Sequence, residues 1–348
     1  MKTIRLAILG FGNAAQSFAS LLIEKEGKIQ NIYGVKPIVT AITTKSRGSL
    51  YNPGGLDLEK ALEDMALNGH FNEGEKDFSY FSSFDVVEKA EYDVLVELTP
   101  LNIFSGEPAI QHIKGAFARG KDVITANKGP IAWAFQSLKA LAQDKNSLFF
   151  YETTVMDGTP VFNMVQETLR LCRVLEIEGI LNSTTNYILE ELALGKDMDE
   201  IMEEGKRRGF IEADPDMDTQ GWDSAAKLTA LMNVLMGANM TPDQIRPKGI
   251  EGISLDTIKE AQGRGKIIKL ICRGEIIDGK ILGFVEPREV DEGSLLGGIK
   301  GTSSVVSITT DLMGKVSIVE HDPEILQTGY GVLSDLLRLL VEKGKLKV

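Results

Sequence analysis

Asp223 and Lys227 stand four residues apart, at the spacing that places two side chains on one face of a helix. They are the only charged residues between Gly221 and Gly237, in a stretch that is otherwise almost entirely apolar. Such a pair is often only a surface ion pair worth roughly 0.2–0.5 kcal/mol. A helix that is apolar on all sides is buried, however, and a buried ion pair is costly unless it contacts a ligand or takes part in chemistry.

Four acidic residues precede this pair along the chain: Glu212, Asp214, Asp216 and Asp218. For Asp214 and Asp216, a solvated loop that caps the next helix is the alternative interpretation. A buried Asp–Lys pair preceded by several carboxylates nevertheless favours a site for a substrate that carries an ammonium group and a reacting oxygen.

A glycine-rich segment follows the first apolar run and opens a helical pattern. Its residues form a GxGxxA sequence: Gly10, Phe11, Gly12, Asn13, Ala14 and Ala15. In this context the first glycine allows a tight turn, and the second lets the backbone approach a pyrophosphate at the helix N-terminus. We predict a dinucleotide site that includes residues 10–14, although an ordinary glycine turn is the alternative.

Two cations follow the second predicted strand, where sites that prefer NAD usually carry an acid. Lys45 and Arg47 stand there among hydroxyl residues, with no carboxylate nearby in the sequence. This pattern suits the 2′-phosphate of NADP, so we predict NADP as the coenzyme and keep NAD open. The alternative is that both cations are solvated loop charges.

Two further strand ends carry polar residues at the edge where open α/β sheets bind ligands. Thr99 and Asn102 could hydrogen-bond the nicotinamide or the substrate, although Thr99-Pro100 could equally be only a strand stop. Lys128 follows the next strand and is a candidate cation beside a reacting carbonyl group.

The elements that position these residues alternate between apolar runs and helical patterns in the first half of the chain. Strands are predicted at 4–9, 37–43, 93–99, 121–126 and 148–151, with a clear helix at 14–24. Strands that alternate with helices imply right-handed βαβ units. We therefore predict an α/β fold in which residues 1–150 form a Rossmann-type domain with a doubly wound parallel sheet.

The pattern changes after residue 150. Helices are predicted at 161–171, 185–194, 198–208 and 223–236, followed by β-rich sequence over 267–319 with a turn at Gly314. We predict an α+β substrate-binding and dimerisation domain over 151–320. Residues 321–348 should supply a helix, from 331 to 341, that returns to the first domain. Exposed strand edges invite pairing, which favours a homodimer.

Composition narrows the function classes. The chain has 348 residues, enough for about two domains at ~150 residues each, and a net charge of −12 that argues against nucleic acid or an anionic membrane as the main partner. Cys172, Cys272 and three scattered histidines form no zinc-binding pattern, and the low cysteine count fits a reducing compartment. With no long apolar run and no room for a signal peptide, we expect a cytoplasmic protein.

Several longer motifs complete the sequence evidence. Residues 209–227 read G-x-x-E-x-D-P-x-x-D-x-x-G-x-D-x-x-x-K, and residues 179–189 read GILNSTTNYIL, with Ser183 where glycine is usual. Others are Glu97-Leu-Thr-Pro, Thr125-Ala-Asn-Lys, the segment from Tyr151 to Pro160, and Gly329-Tyr-Gly. Together these motifs resemble the homoserine dehydrogenase family over most of the chain. Gly331 stands where that family has a glycine turn before its last helix, beside the coenzyme.

The resemblance implies the reduction of L-aspartate 4-semialdehyde to L-homoserine by NAD(P)H, within threonine, methionine and isoleucine biosynthesis. It places Lys227 as the proton donor and Lys128 beside the nicotinamide. It places the substrate on Glu212, Asp218 and Asp223. It further implies a monovalent cation such as Na⁺ on the main-chain carbonyls of four residues: Glu152, Val155, Asp157 and Thr159. The regulatory ACT domain and the fused aspartate kinase of longer relatives are expected to be absent.

Two other interpretations stay open from the sequence. The chain could be another amino-acid or polyol dehydrogenase, which turnover of aspartate semialdehyde would distinguish. It could also be a nucleotide-sensing protein that has lost its chemistry. The joint presence of Lys128, Asp223 and Lys227 argues against loss of chemistry. The choice between a dimer and a tetramer is not determined by the sequence.

Overall fold

The computed structural model describes residues 2–208, 211 and 214–345, and it confirms the expected α/β class. The chain divides into two compact units, one formed by Met1–Pro160 with Glu324–Val348 and the other by Val161–Pro323. The functions that the sequence analysis assigns to the three segments of the chain stay predictions.

The first unit contains a seven-stranded sheet in the order β4-β3-β2-β1-β5-β6-β7. Its strands are β1 (Lys2–Leu9), β2 (Val35–Thr43), β3 (Ser49–Tyr51), β4 (Phe78–Ser79), β5 (Val94–Glu97), β6 (Asp122–Thr125) and β7 (Phe149–Phe150). The five predicted strands are all present and parallel, whereas β3 and β4 form an antiparallel edge that the sequence analysis did not predict. The strand order reverses between β1 and β5, which is where ligands bind in open α/β sheets.

Helices cover both faces of this sheet. They are α1 (Asn13–Tyr33), α2 (Leu58–Asn68), α3 (Ser83–Lys89), α4 (Ala109–Ala118), α5 (Lys128–Asp144) and, from the end of the chain, α12 (Ile325–Lys345). The helix predicted at 14–24 continues to Tyr33, and Gly34 ends it at a φ of 66°. Phe18 and Leu22 of α1 belong to the same buried cluster as Val332 and Leu336 of α12.

The expected position of Gly331 in a turn before the last helix is wrong. Helix α12 begins at Ile325, so Gly329 and Gly331 lie inside it. A Cβ on Gly331 would lie 2.5 Å from the Thr153 hydroxyl, and one on Gly329 would lie 2.3 Å from the hydroxyl of Ser17. These glycines therefore allow close packing of the helix rather than a change of chain direction.

The second unit contains a five-stranded antiparallel sheet in the order β10-β9-β8-β11-β12. Its strands are β8 (Val174–Ile180), β9 (Lys266–Ile277), β10 (Lys280–Asp291), β11 (Ser304–Thr310) and β12 (Gly314–Glu320). Asp278 and Gly279, between β9 and β10, have φ values of 50° and 76°. Positive φ at both central residues is what a two-residue hairpin turn requires.

Helices of the second unit include all four that the sequence predicts. They are α6 (Val161–Thr168), α7 (Ser183–Ala193), α8 (Met198–Arg208), α9 (Asp216–Thr219), α10 (Trp222–Leu231) and α11 (Leu255–Gln262). Helix α10 continues into a π-helical turn at Met232–Met236, where a single regular helix was predicted. None of the helices in the described part of the chain has the length and hydropathy to cross a membrane.

Candidate active site

The glycine-rich turn lies between β1 and α1. Gly10 has a φ of 85°, and a Cβ there would lie 2.3 Å from the carbonyl oxygen of Leu98, so no other residue fits. Gly12 is the N-cap of α1, where no side chain caps the helix, and its Cβ position faces open space. Amides at the start of a helix favour anions. The turn therefore leaves the N-terminus of α1 open to an anion such as a pyrophosphate.

The residues between and after these glycines differ in burial. Phe11 is 2% exposed, and its ring lies 5.7 Å from that of Phe71, so this side chain belongs to the core. Asn13 is exposed and Ala14 is half-buried in the first turn of α1. For Phe11, only the main chain is available for the predicted coenzyme contact.

The two predicted phosphate-binding cations lie in the loop that joins β2 to β3. Lys45 and Arg47 are both exposed. The Thr44 hydroxyl accepts a 2.8 Å hydrogen bond from the Arg47 amide and donates one of 2.8 Å to the Gly48 carbonyl. These hydrogen bonds hold the loop backbone, while both cationic side chains face solvent. This exposure is compatible both with a site for a 2′-phosphate and with solvated loop charges.

The ends of β5 and β6 are tied together by Asn127. Its Nδ2 donates to the Thr99 carbonyl at 3.1 Å, and its Oδ1 accepts from the Gly129 amide at 3.0 Å. The Thr99 hydroxyl donates to the fully buried carboxylate of Glu97. Asn102, by contrast, is exposed, and its Oδ1 accepts a hydrogen bond of 3.1 Å from the Phe104 amide within its own turn.

Lys128 is the first residue of α5 and is half-buried. The N-terminus of a helix carries partial positive charge, so a lysine there is electrostatically unfavourable. Helix stability therefore does not account for a lysine at this position.

The segment that would hold the monovalent cation begins with a short 3-10 turn, Glu152–Thr154. Asp157 has a φ of 40°, and its Oδ1 accepts a hydrogen bond from the Thr328 hydroxyl at 2.5 Å. The Asp157 carbonyl oxygen lies 3.1 Å from the position of a Cβ on Gly331. Helix α12 therefore packs directly on this segment.

A buried carboxylate, Asp335 of α12, faces the start of the same segment. Its Oδ2 accepts a 2.9 Å hydrogen bond from the Glu152 amide. Burial, followed by the charge of Glu152, raises the pKa of Asp335 to about 8. Among the described residues, neither Asp335 Oδ1 nor the Thr153 hydroxyl has a hydrogen-bond partner. A bound cation would give these two oxygens a partner and would favour the ionised form of Asp335, although no cluster of three His, Cys, Asp or Glu exists in the described part of the chain.

In the second unit, Asp223 and Lys227 form the ion pair that their spacing predicts. Lys227 Nζ lies 3.2 Å from Asp223 Oδ2, and the two side chains are 18% and 12% exposed respectively. Lys227 Nζ also donates a 2.8 Å hydrogen bond to the Leu181 carbonyl, at the end of β8. The lysine ammonium group is therefore partly buried and held at a defined position.

Asn182 joins this pair to Asp218, and the sequence analysis assigned it no role. Its Nδ2 donates to Asp218 Oδ1 at 2.7 Å and to Asp223 Oδ2 at 3.0 Å. Its place in the GILNSTTNYIL motif was the available signal, but the partners of its amide lie 36 and 41 residues away in the sequence.

Burial and the charge of Asp223 raise the pKa of Asp218. The hydrogen bond from Asn182 and the charge of Lys227 act in the opposite direction and lower it. Two carboxylates, an amide and an ammonium group are therefore concentrated in one place. Such a site can bind a cationic group and can deliver a proton.

The other acids of this region have different environments. Asp214 is exposed, and its Oδ1 accepts a 3.2 Å hydrogen bond from the Asp216 amide, as the local-turn interpretation expects. Glu212, predicted to bind substrate, lies outside the described residues.

The comparisons with known proteins agree on one family. The homoserine dehydrogenase family model matches residues 160–337. The homoserine dehydrogenase of Methanocaldococcus jannaschii is 37% identical over 96% of this chain and 98% of its own. The NAD(+)-dependent homoserine dehydrogenase of Pseudomonas canavaninivorans is 32% identical over 97% of both chains. The structure of a hyperthermophilic archaeal homoserine dehydrogenase in complex with NADPH aligns with a TM-score of 0.81 at 28% identity, over 98% of each chain.

Proposed function

Since this chain belongs to the homoserine dehydrogenase family and has its activity, we propose that NADPH is its preferred coenzyme and that Lys227 is its general acid. The reaction interconverts L-aspartate 4-semialdehyde and L-homoserine. The nicotinamide coenzyme supplies the hydride when bound. The residues of the chain bind and orient the reactants and move the proton.

The first unit is the proposed coenzyme domain. The Gly10 and Gly12 turn supports this, because it leaves the first turn of α1 open to a pyrophosphate. Lys45 and Arg47 support NADPH, because two exposed cations with no acid between them suit a 2′-phosphate. Both coenzymes occur in the family, because the archaeal protein is bound to NADPH and the Pseudomonas protein is NAD(+)-dependent.

The second unit is the proposed substrate domain. Asp218 and Asp223, together with Glu212, would hold the substrate ammonium group. Lys227 would face the aldehyde oxygen, where its ammonium group stabilises the developing alkoxide and donates a proton to it. The observation that carries this proposal is the partly buried Lys227–Asp223 ion pair at 3.2 Å. Lys128 would contact the nicotinamide and the reacting carbonyl group.

A monovalent cation such as Na⁺ is proposed at the segment from Glu152 to Thr159. The main-chain carbonyls of Glu152, Val155, Asp157 and Thr159 would hold it, and the unpaired Oδ1 of Asp335 supports a positive charge there. Its role would be to stabilise the segment. Replacing choline chloride with sodium chloride at equal ionic strength should then raise the melting temperature, and equal melting temperatures would contradict the site.

A homodimer and a cytoplasmic location complete the proposal. Two unpaired cysteines, Cys172 and Cys272, fit a reducing compartment, and light scattering at micromolar concentration would detect the dimer. The decisive experiment follows absorbance of the reduced coenzyme with aspartate semialdehyde, using NADPH and NADH in parallel. A lower KM for NADPH is expected, and an equal or lower KM for NADH would overturn the coenzyme proposal.

A further inference from the structure

One buried amide group contacts both carboxylates of the proposed substrate site. The Asn182 side chain is buried, and its Nδ2 donates to Asp218 Oδ1 at 2.7 Å and to Asp223 Oδ2 at 3.0 Å. An amide nitrogen has two N–H donors. Asn182 therefore uses both of them on two acids that come from different helices, α9 and α10.

The opposite end of the amide fixes its orientation. Asn182 Oδ1 accepts hydrogen bonds from the Thr185 amide at 2.8 Å and from the Thr185 hydroxyl at 2.9 Å, and so caps helix α7. Reversing the amide would turn a carbonyl oxygen toward two carboxylates and an NH₂ group toward the backbone amide of Thr185. Only one orientation satisfies all four contacts.

These hydrogen bonds oppose the repulsion between two neighbouring carboxylates. Burial and Asp223 raise the pKa of Asp218, while hydrogen bonds from Asn182 and Thr184 and the charge of Lys227 lower it. Among the described residues, the Cys272 thiol of β9 is another titratable group that lies near Asp223 and Lys227. Burial raises the pKa of Cys272 to about 12, so the thiol stays neutral near neutral pH.

We propose that Asn182 is a positioning residue that holds Asp218 and Asp223 ionised and aligned to receive the substrate ammonium group. The hydrogen bond from Asn182 to Asp223 also keeps the Asp223 carboxylate beside Lys227. The carboxylates that would bind the substrate ammonium group therefore keep a fixed position relative to the proposed proton donor. This inference rests on the proposed substrate site in the second unit, and its experiment tests the two separately.

The substitution Asn182→Asp separates this role from helix capping. A carboxylate still accepts hydrogen bonds from Thr185, so the cap of α7 is retained. The ionised side chain has no N–H to donate, and it adds a third negative charge beside two others. Ser254→Ala is the matched control, because Ser254 caps α11 at an exposed position by accepting a 3.1 Å hydrogen bond from the Thr257 amide.

Steady-state kinetics should distinguish the variants. A hydrogen bond to a charged group is worth about a tenfold change or more, so Asn182→Asp should raise KM for homoserine at least about tenfold. The acidic limb of the kcat/KM profile should also move to higher pH, because Asp218 then ionises with more difficulty. Ser254→Ala should leave KM and the pH profile unchanged. If Asn182→Asp behaves like Ser254→Ala, Asn182 is only a helix cap and the proposal is overturned.

A second experiment measures the pKa of Asp218 directly, without enzyme turnover. Carbon-13 NMR of protein labelled at the aspartate carboxyl carbon, with the signal assigned through Asp218→Asn, should show a higher Asp218 pKa in Asn182→Ala than in the parent protein. An unchanged pKa would overturn the proposed effect on ionisation. If Asp218→Asn and Asp223→Asn both leave KM for homoserine unchanged, the proposed substrate site is wrong, whatever the titration of Asp218 shows about Asn182.

Discussion

Replacing Lys227 with alanine removes an ammonium group that lies 3.2 Å from Asp223 Oδ2 and donates a 2.8 Å hydrogen bond to the Leu181 carbonyl. General acid catalysis contributes typically ~10²–10⁴-fold, or about 3–5 kcal/mol of activation free energy. This contribution arises in the transition state. We therefore expect kcat for semialdehyde reduction to fall at least about 100-fold, with a much smaller rise in KM.

The same substitution also affects folding, because it leaves the partly buried Asp223 carboxylate without its cation. Breaking a buried ion pair costs roughly 3–5 kcal/mol, and less is expected here because the Asn182 amide still donates to Asp223. Lys227→Arg separates the two effects. Arginine keeps a positive charge beside Asp223 but does not give up a proton near neutral pH, so stability should be largely retained while the rate stays low.

The assay follows NADPH absorbance with aspartate semialdehyde, alongside NADPH affinity and the melting temperature of each variant. Both variants must bind NADPH normally and remain folded at the assay temperature. A folded Lys227→Ala protein with nearly normal kcat would refute the reasoning, as would a fully active Lys227→Arg protein. Lys128 would then be the next candidate for the general acid.

Three further predictions concern the coenzyme, the packing of the last helix and a buried lysine. Arg47→Ala should raise KM for NADPH several-fold more than KM for NADH, whereas the exposed Lys28→Ala should change neither; equal effects on both coenzymes would exclude a phosphate contact at Arg47. Gly331→Ala should lower the free energy of unfolding by about 1–3 kcal/mol through overpacking, measured by urea denaturation. Gly344→Ala, in the same helix with no atom within 4 Å of its Cβ position, should be neutral or stabilising, and equal effects would contradict the close packing. Burial lowers the pKa of Lys269 from 10.5 to about 8. Between pH 8 and pH 10.5 the unfolded chain therefore binds more protons than the folded protein, and the free energy of unfolding rises with pH. The stability of the parent protein relative to Lys269→Met should therefore increase by up to about 1.4 kcal/mol per pH unit in that window, and a constant difference would exclude the shifted pKa.

Patterns within single segments of the sequence were sufficient to predict most of the strands and helices of this protein. Apolar runs with few charges predicted the five parallel strands of the first unit to within two residues at each end. The helix at Met198–Arg208 has the predicted bounds. Asp223 and Lys227 were predicted as a pair because four residues along one helix bring two side chains together, whatever surrounds that helix. In each case the residues that make the prediction possible lie within a few turns of one helix or within one strand.

Contacts between distant segments were decided only by the tertiary structure. Asn182 caps its own helix, which is a local property, but its contacts with Asp218 and Asp223 depend on how α9 and α10 pack against it. Gly331 has the residue type of a turn, yet it serves the close approach of a helix. Asp335 accepts from Glu152 across 183 residues of sequence. Hydrogen bonds and close packing depend on distances of a few ångström between side chains, and sequence periodicity carries no information about those distances.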